Sequence, residues 1–324
     1  MQSHIKPQSL QSPSPGFKSR LRAVGAIILP ALLAGTLLAS DDSDRLTFGW
    51  LQGADWRGKA EVAVYDGTVV RYRQQRPASL TLITVTEPFN TRQVVKSESG
   101  ENAITALKQN QVLKYQTGVY PYSQMNSVFW NASTGDFFKA SMTTQEWCGQ
   151  TFKEARRYGD GLRLAYNSYW EDEAVGEMYI EDPHEDTLYI LYDELPLAVR
   201  TEQLQKAGRV YLFPMLMSSQ VMRSDWDIGH PARKPTYTPA IVNTERVTLN
   251  AARRNFQDVL KVTITFEDGG AKKIDTFYVD MNDPNRLLLK WERNDGGQFT
   301  ISELYYTDYW NQNRAGDRLT GSRL

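Results

Sequence analysis

Cysteine and histidine are scarce in this sequence: one cysteine, Cys148, and three histidines, His4, His184 and His230, among 324 residues. A lone cysteine excludes an internal disulfide, and no C-x-x-C pair is present, so the fold must be held by its core alone. There is no glycine-rich phosphate loop, no heptad array and no long internal repeat. No cofactor or metal is expected on these grounds. A formal charge of -1 gives no electrostatic case for nucleic acid, whose binding draws on a concentrated basic face.

Acidic residues are absent from the first 40 positions, which carry Lys6, Lys18, Arg20 and Arg22. An apolar run, Ala23 to Ala39, follows and meets Asp41-Asp42. A basic lead, a short apolar run and an acidic boundary form the pattern of a secretory signal, and the run is shorter than the roughly 20 residues a spanning helix needs. Residues 1–40 are therefore expected to be a signal peptide or an N-terminal anchor. Leu37-Leu38-Ala39-Ser40 resembles a lipobox, but Asp41 stands where the lipid-bearing thiol would be, which excludes lipidation there. Loss of residues 1–40 removes four of 37 basic residues and none of 38 acidic ones, leaving a net charge near -5.

Beyond the leader, alternation and turn residues predict a mainly β fold: curved antiparallel sheet or half-barrel, with one or two covering helices. The expected divisions are a β-rich region over 41–224, a connecting loop over 225–239, a β-meander over 240–312 and a flexible tail over 313–324. In the first region strands are expected at Lys59–Tyr65, Val69–Arg73 and Leu80–Thr86, with a turn at Asp66-Gly67 and a loop at Arg76-Pro77. The spacing of Leu188, Leu191, Tyr192 and Leu195 predicts a helix over Glu185–Arg200, capped by Asp182 and stopped or kinked by Pro196. A short helix over Thr201–Lys206 should stop at Gly208. In the meander, Leu260, Val262, Ile264 and Phe266 point one way. Leu287, Leu289 and Trp291 form an inward face opposite Leu288, Lys290 and Glu292. Turns fall at 267–270, 281–285 and 294–297.

Several stretches carry a resemblance: Trp56 to Val62 (W-R-G-K-A-E-V), Thr84 to Phe89, Gln93 to Lys96, Thr117 to Phe129 (T-G-V-Y-P-Y-S-Q-M-N-S-V-F) and Gln145 to Phe152 (Q-E-W-C-G-Q-T-F). With these the chain resembles a group of uncharacterised exported bacterial proteins, many of them lipoproteins, often filed under a septum-formation-inhibitor name. The S-x-S-P-R signature of the nucleotide pyrophosphatases of that name is matched only by Ser12-Pro13-Ser14-Pro15-Gly16, without the arginine. The resemblance implies a cell-envelope location and assigns no catalytic residue. The C-terminal strands also look like lipoprotein-carrier (LolA-like) half-barrels, which implies a concave face able to hold an apolar ligand.

The organising stretch is Phe137 to Phe152, whose motif is Gln145, Glu146, Trp147, Cys148 and Gly149. Cys148 is either a nucleophile paired with His184 or His230, or a buried thiol in a tight Trp-Cys-Gly spot, and the buried thiol is the expectation. Glu181, Asp182, His184, Glu185 and Asp186 cluster in the manner of cation ligands, yet lack calcium-loop spacing and fit the start of a helix. Tyr305, Tyr306, Tyr309 and Trp310, beside a polar tail, are the candidate binding surface.

The expected function is non-enzymatic: an exported periplasmic or envelope protein that binds a lipid, another amphiphile or an envelope protein. A hydrolase using Cys148 with a histidine is one alternative, a glycan- or protein-interaction module another. Membrane contact is expected through residues 23–39 if they are retained. The carrier reading requires a continuous apolar cavity between sheet and covering helix, whereas a packed interior favours partner binding.

Overall fold

Alternating side chains and paired turns give sixteen strands among the described residues. The computed structural model describes residues 56–101, 103–183, 187–222 and 234–320, all within one compact unit, Ser43–Leu324. The candidate leader and anchor at 1–40 lies outside the described residues. Among those described, no helix is long and apolar enough to cross a membrane.

The first half contributes β1 (Ala60–Arg71), β2 (Gln74–Asn90), the short β3 (Val95–Lys96), β4 (Ala103–Thr117), β5 (Tyr120–Asn131), β6 (Phe137–Glu146), β7 (Gly149–Tyr158), β8 (Gly161–Asn167) and β9 (Val175–Glu181). A crossing segment then supplies β10 (Tyr189–Leu191), a 3-10 turn (Tyr192–Glu194), α1 (Leu195–Ala198), α2 (Glu202–Lys206) and β11 (Arg209–Phe213). The meander adds β12 (Thr238–Ala251), β13 (Arg254–Asp268), β14 (Ala271–Asp280), β15 (Leu288–Glu292) and β16 (Gln298–Thr307).

All belong to one curved sheet in the order β10-β11-β12-β13-β14-β15-β16-β1-β2-β4-β5-β6-β7-β8-β9, with β3 on β2. Pairing is antiparallel throughout except between β10 and β11. The sheet stays unclosed, since β9 and β10 are its two ends. The expected regions 41–224 and 240–312 are therefore continuous in hydrogen bonding, through β1 with β16 and β11 with β12.

The concave face holds the main core. Tyr65, Leu107, Val128, Met142 and Leu164 from the strands meet Tyr192, Leu195, Leu197, Phe213 and Met217 from the crossing segment. That segment lies within the curve of the sheet and fills it. On the convex face two smaller clusters form, one around Val62, Val85 and Tyr305 and one around Phe89, Ala106 and Phe129.

Five local expectations are corrected. Asp66-Gly67 does not turn, because β1 runs through it. Gly67 is needed instead for close approach: a Cβ there would sit 1.9 Å from the Gln298 carbonyl oxygen of β16. Pro77 lies inside β2, just past the end of the β2–β4 ladder that begins at Ala78, where its missing N–H costs no bond to β4. Within the helix expected over 185–200, the described residues 187–200 instead hold β10, a 3-10 turn and four residues of α1. Its three-to-four spacing is met by burial on several sides within the curve. Pro196 does not end a helix but opens α1, where a missing N–H is harmless. Leu288, expected outward, is 2% exposed. A bulge between β14 and β15 pairs Val279 with Leu288 and skips Leu289, so alternation fails there.

The short helix α2 forms as read. The Thr201 side chain accepts from the Leu204 amide, and Gly208 follows with φ +63°. The turns at 267–270, 281–285 and 294–297 also separate strands as expected.

Candidate functional site

In an antiparallel sheet every second connection falls at the same end. The β1–β2, β4–β5 and β6–β7 turns and the β8–β9 connection therefore emerge together, and they carry an unusual concentration of aromatic rings. Tyr115 and Tyr122, both buried, stack with centroids 4.9 Å apart and planes 12° from parallel. Tyr122 meets Tyr120 at 5.6 Å, and Tyr120 stacks on Trp147 at 5.9 Å. The row runs from the core outward and ends on an indole that is 72% exposed.

Tyr72 braces the row from the side. Its hydroxyl lies 2.9 Å from that of Tyr122 and 3.5 Å from that of Tyr120, and the Arg71 guanidinium sits 5.0 Å from the Tyr72 ring centre and 5.4 Å from that of Tyr122. Tyr72 and Arg73 both adopt positive φ, 53° and 59°. Non-glycine residues in that region cost on the order of 1–3 kcal/mol each, a strain that persists only where the surroundings hold it.

The sequence motif finds its place here. Gln145 and Glu146 end β6, Trp147 and Cys148 form the turn, and Gly149 begins β7. Glu146 accepts from the Gln124 side chain at 3.3 Å. Gly149 is explained by Tyr169, whose ring would lie 2.3 Å from any Cβ at that position. Tyr169 in turn meets Trp170 edge-on at 5.8 Å. Thus the T-G-V-Y-P-Y and Q-E-W-C-G stretches, distant in sequence, build one surface.

Cys148 is exposed, not buried. It stands in the two-residue turn at the tip of the β6–β7 hairpin, beyond the last paired residues of the sheet. The histidines of the hydrolase alternative, His184 and His230, lie outside the described residues, as do Glu185 and Asp186 of the acidic cluster. Within that cluster Asp182 accepts from Arg157 at 2.7 Å. Among the described residues no group of three or more His, Cys, Asp or Glu side chains is placed to hold a metal ion.

Tyr305, Tyr306, Tyr309 and Trp310 do not make one surface. Alternation sends Tyr305 and Tyr306 to opposite faces of β16. Tyr305 is buried in a convex-face cluster that Tyr309 partly covers. Tyr306 faces inward, donates to Glu61 at 3.1 Å and accepts from Asn285 at 2.6 Å. Trp310 remains exposed, edge-on to Tyr309.

Sequence reading missed a belt of buried polar side chains on the concave face. Lys153 is fully buried and donates to Leu216 O at 2.8 Å, Ser218 Oγ at 2.7 Å and Gln220 O at 2.6 Å. Thr151 donates to Ser219 O at 2.8 Å, and Gln111 to Asp193 O at 2.5 Å. Asp193 accepts from the amides of Leu216 and Met217 and from Asn126. These groups satisfy the irregular backbone of the crossing segment, which has no ladder of its own inside the curve. The available signal was Gln109 and Gln111 between Leu107 and Leu113, polar residues on the inward parity of β4.

Burial pushes the Asp193 carboxyl up to about 6 and that of Glu194 up to about 7, against donors that pull them down. Glu194 accepts from Trp130 Nε1 at 2.6 Å and Leu191 N at 2.7 Å. Both carboxyls hold protons more tightly folded than unfolded. Their contribution is fully present below about pH 4 and is lost as pH rises through 6 and 7. Stability should therefore fall between pH 5 and pH 8 by on the order of 2 kcal/mol per group. Chemical denaturation across that range should show the slope, and Glu194→Gln should flatten its upper half. An unchanged slope in that variant would discard the assignment.

Among the described residues, two spaces beside the crossing segment bear on ligands. Between Gln111, Tyr192, Met215 and Trp291 the interior leaves a cavity of about 10 Å³, room for one water at most. A groove of about 640 Å³ lies at the other end of β5 and β6, between Trp130 and Phe137 on the sheet and Ala198 and Leu204 on the helices, with Glu194 among its lining residues.

No family model matches the chain, and no curated protein does. Among solved structures, the chain is similar to the crystal structure of a beta-barrel-like protein of a domain of unknown function, DUF1849, from Brucella abortus. Identity is 11% and the TM-score 0.43, over 77% of this chain and 98% of that one.

Proposed function

We propose that this chain is an exported cell-envelope protein that acts by binding, not by catalysis, and that its binding surface is the aromatic end of the sheet. One observation carries the reading: Trp147 is 72% exposed yet held against Tyr120, at the end of a ring row anchored in the core. An isolated surface aromatic is ordinary, but an exposed indole braced by stacked rings is a fixed platform. The packed concave face supports partner binding over an enclosed lipid.

A photoreactive amino acid in place of Trp147 should give adducts with an envelope component in intact cells, and one in place of Arg314 should not. Tyr120→Ala, which removes the ring beneath, should lower the yield severalfold without shifting the melting temperature by more than a few degrees. Equal adduct yields at the two positions would sink the reading.

The 640 Å³ groove supports a second reading, retention of an amphiphile between β5–β6 and the helices. Mass spectrometry of small molecules retained by protein from its native envelope tests it. An amphiphile that Leu204→Trp fails to displace would count against the groove as its site.

A further inference from the structure

We infer that the aromatic end docks on a lipid bilayer, its hairpin tips entering the headgroup layer. The inference rests on that end being the binding surface and names what it binds. The exposed groups are distributed along the tips instead of converging on a pocket. Tyr72 is on the β1–β2 turn, Val119 on the β4–β5 turn, Trp147 on the β6–β7 turn, Tyr169 on the β8–β9 connection and Val175 at the start of β9. Their exposures are 50%, 83%, 72%, 56% and 76%.

The residue types favour a bilayer over a sugar. Trp and Tyr carry an apolar body and a polar tip, the combination that settles at the boundary between hydrocarbon and water. Val119 and Val175 offer a carbohydrate neither a ring face nor a hydrogen bond, while either can enter an apolar layer. The hydroxyls of Tyr72, Tyr120 and Tyr122 already face one another, so outward contact is left to carbon surface. Charge at this end is mixed: Arg71 at the end of β1 and Arg73 on the turn that follows, Glu171 and Asp172 on the β8–β9 connection. Insertion, not attraction to anionic lipid, is therefore the driving term. The apolar run Ala23 to Ala39 would keep the chain near a membrane if retained.

Cys148, the only cysteine and exposed at the tip itself, makes the test direct. An environment-sensitive fluorophore attached there in the full chain should shift to the blue on adding phosphatidylcholine vesicles. Adding phosphatidylglycerol should change the affinity little. The same fluorophore in Cys148→Ser/Arg314→Cys should not shift, and this local readout is independent of any anchoring by residues 23–39. Val119→Ser with Trp147→Ser should weaken the response about tenfold or more, since two inserting side chains are lost. No shift at position 148, or equal shifts at 148 and 314, overturns the inference. If position 147 crosslinks to an envelope protein or glycan while vesicles give no shift, the binding surface stands and the lipid assignment falls. If neither occurs, both fall.

Discussion

Replacing Arg200 by methionine should cost about 3–5 kcal/mol of stability, the range for removing one partner of a buried ion pair. Arg200 leaves the end of α1 and pairs both terminal nitrogens with Glu61 of β1, at 2.7 and 3.0 Å, with both side chains nearly inaccessible. It also donates to Asn285 O at 2.6 Å. Asn285 is in turn held by Trp56 Nε1 at 2.9 Å and bonded to Tyr306. One guanidinium thus ties the crossing segment to β1 and to the turn before β15. Without it the Glu61 carboxylate is left buried beside the Tyr306 hydroxyl, and buried charge is costly when it loses its ion-pair partner. The melting temperature should drop by roughly 10 °C for a domain of this size. The double variant Glu61→Leu/Arg200→Met should lose clearly less than the two single losses combined, as expected for coupled sites. A loss below about 1 kcal/mol for Arg200→Met would show that the pair is compensated by water.

Lys153→Met should destabilise locally before it destabilises globally, at about 2–4 kcal/mol. The ammonium reaches two backbone carbonyls and a hydroxyl of the stretch 216–220. A thioether of similar length fills the volume but donates nothing, leaving those acceptors buried. Hydrogen exchange should rise first in the amides from Met215 to Val221, and proteases should gain access there. Lys153 also holds down the Asp193 carboxyl, which burial raises. Its loss should move that titration further up and steepen the fall of stability toward alkaline pH. Unchanged protection over 215–221 would show that the segment is held by its apolar contacts alone.

What could be read in advance follows from how far a signal reaches along the chain. The meander's turns at Gly269-Gly270 and Asn294 to Gly297 are set by residues next to one another, and β13 alternates as its sequence does. The cap at Thr201 and the stop at Gly208 are equally local. Leu288 was misread because its burial follows from a bulge, a property of two strands and not of one. The stretch 187–200 departs from the expected helix because helical spacing and burial within a curved sheet leave the same apolar pattern. The aromatic end was half legible. Its two motifs stood out as sequence, but Tyr72 and Tyr169 join them only through strand pairing.

The amino-acid order by itself determined an antiparallel β protein, most of its turn positions in the meander and one capped helix, because period-two alternation and turn chemistry act within a few residues. Only the tertiary structure decided that all the strands form one unclosed sheet, that Glu61 finds Arg200 across 139 positions, and that Trp147 ends a row of rings. Those outcomes depend on which surfaces meet after the chain has closed long loops. The entropy of closing a loop changes only slowly with its length, so local pattern does not distinguish one distant partner from another.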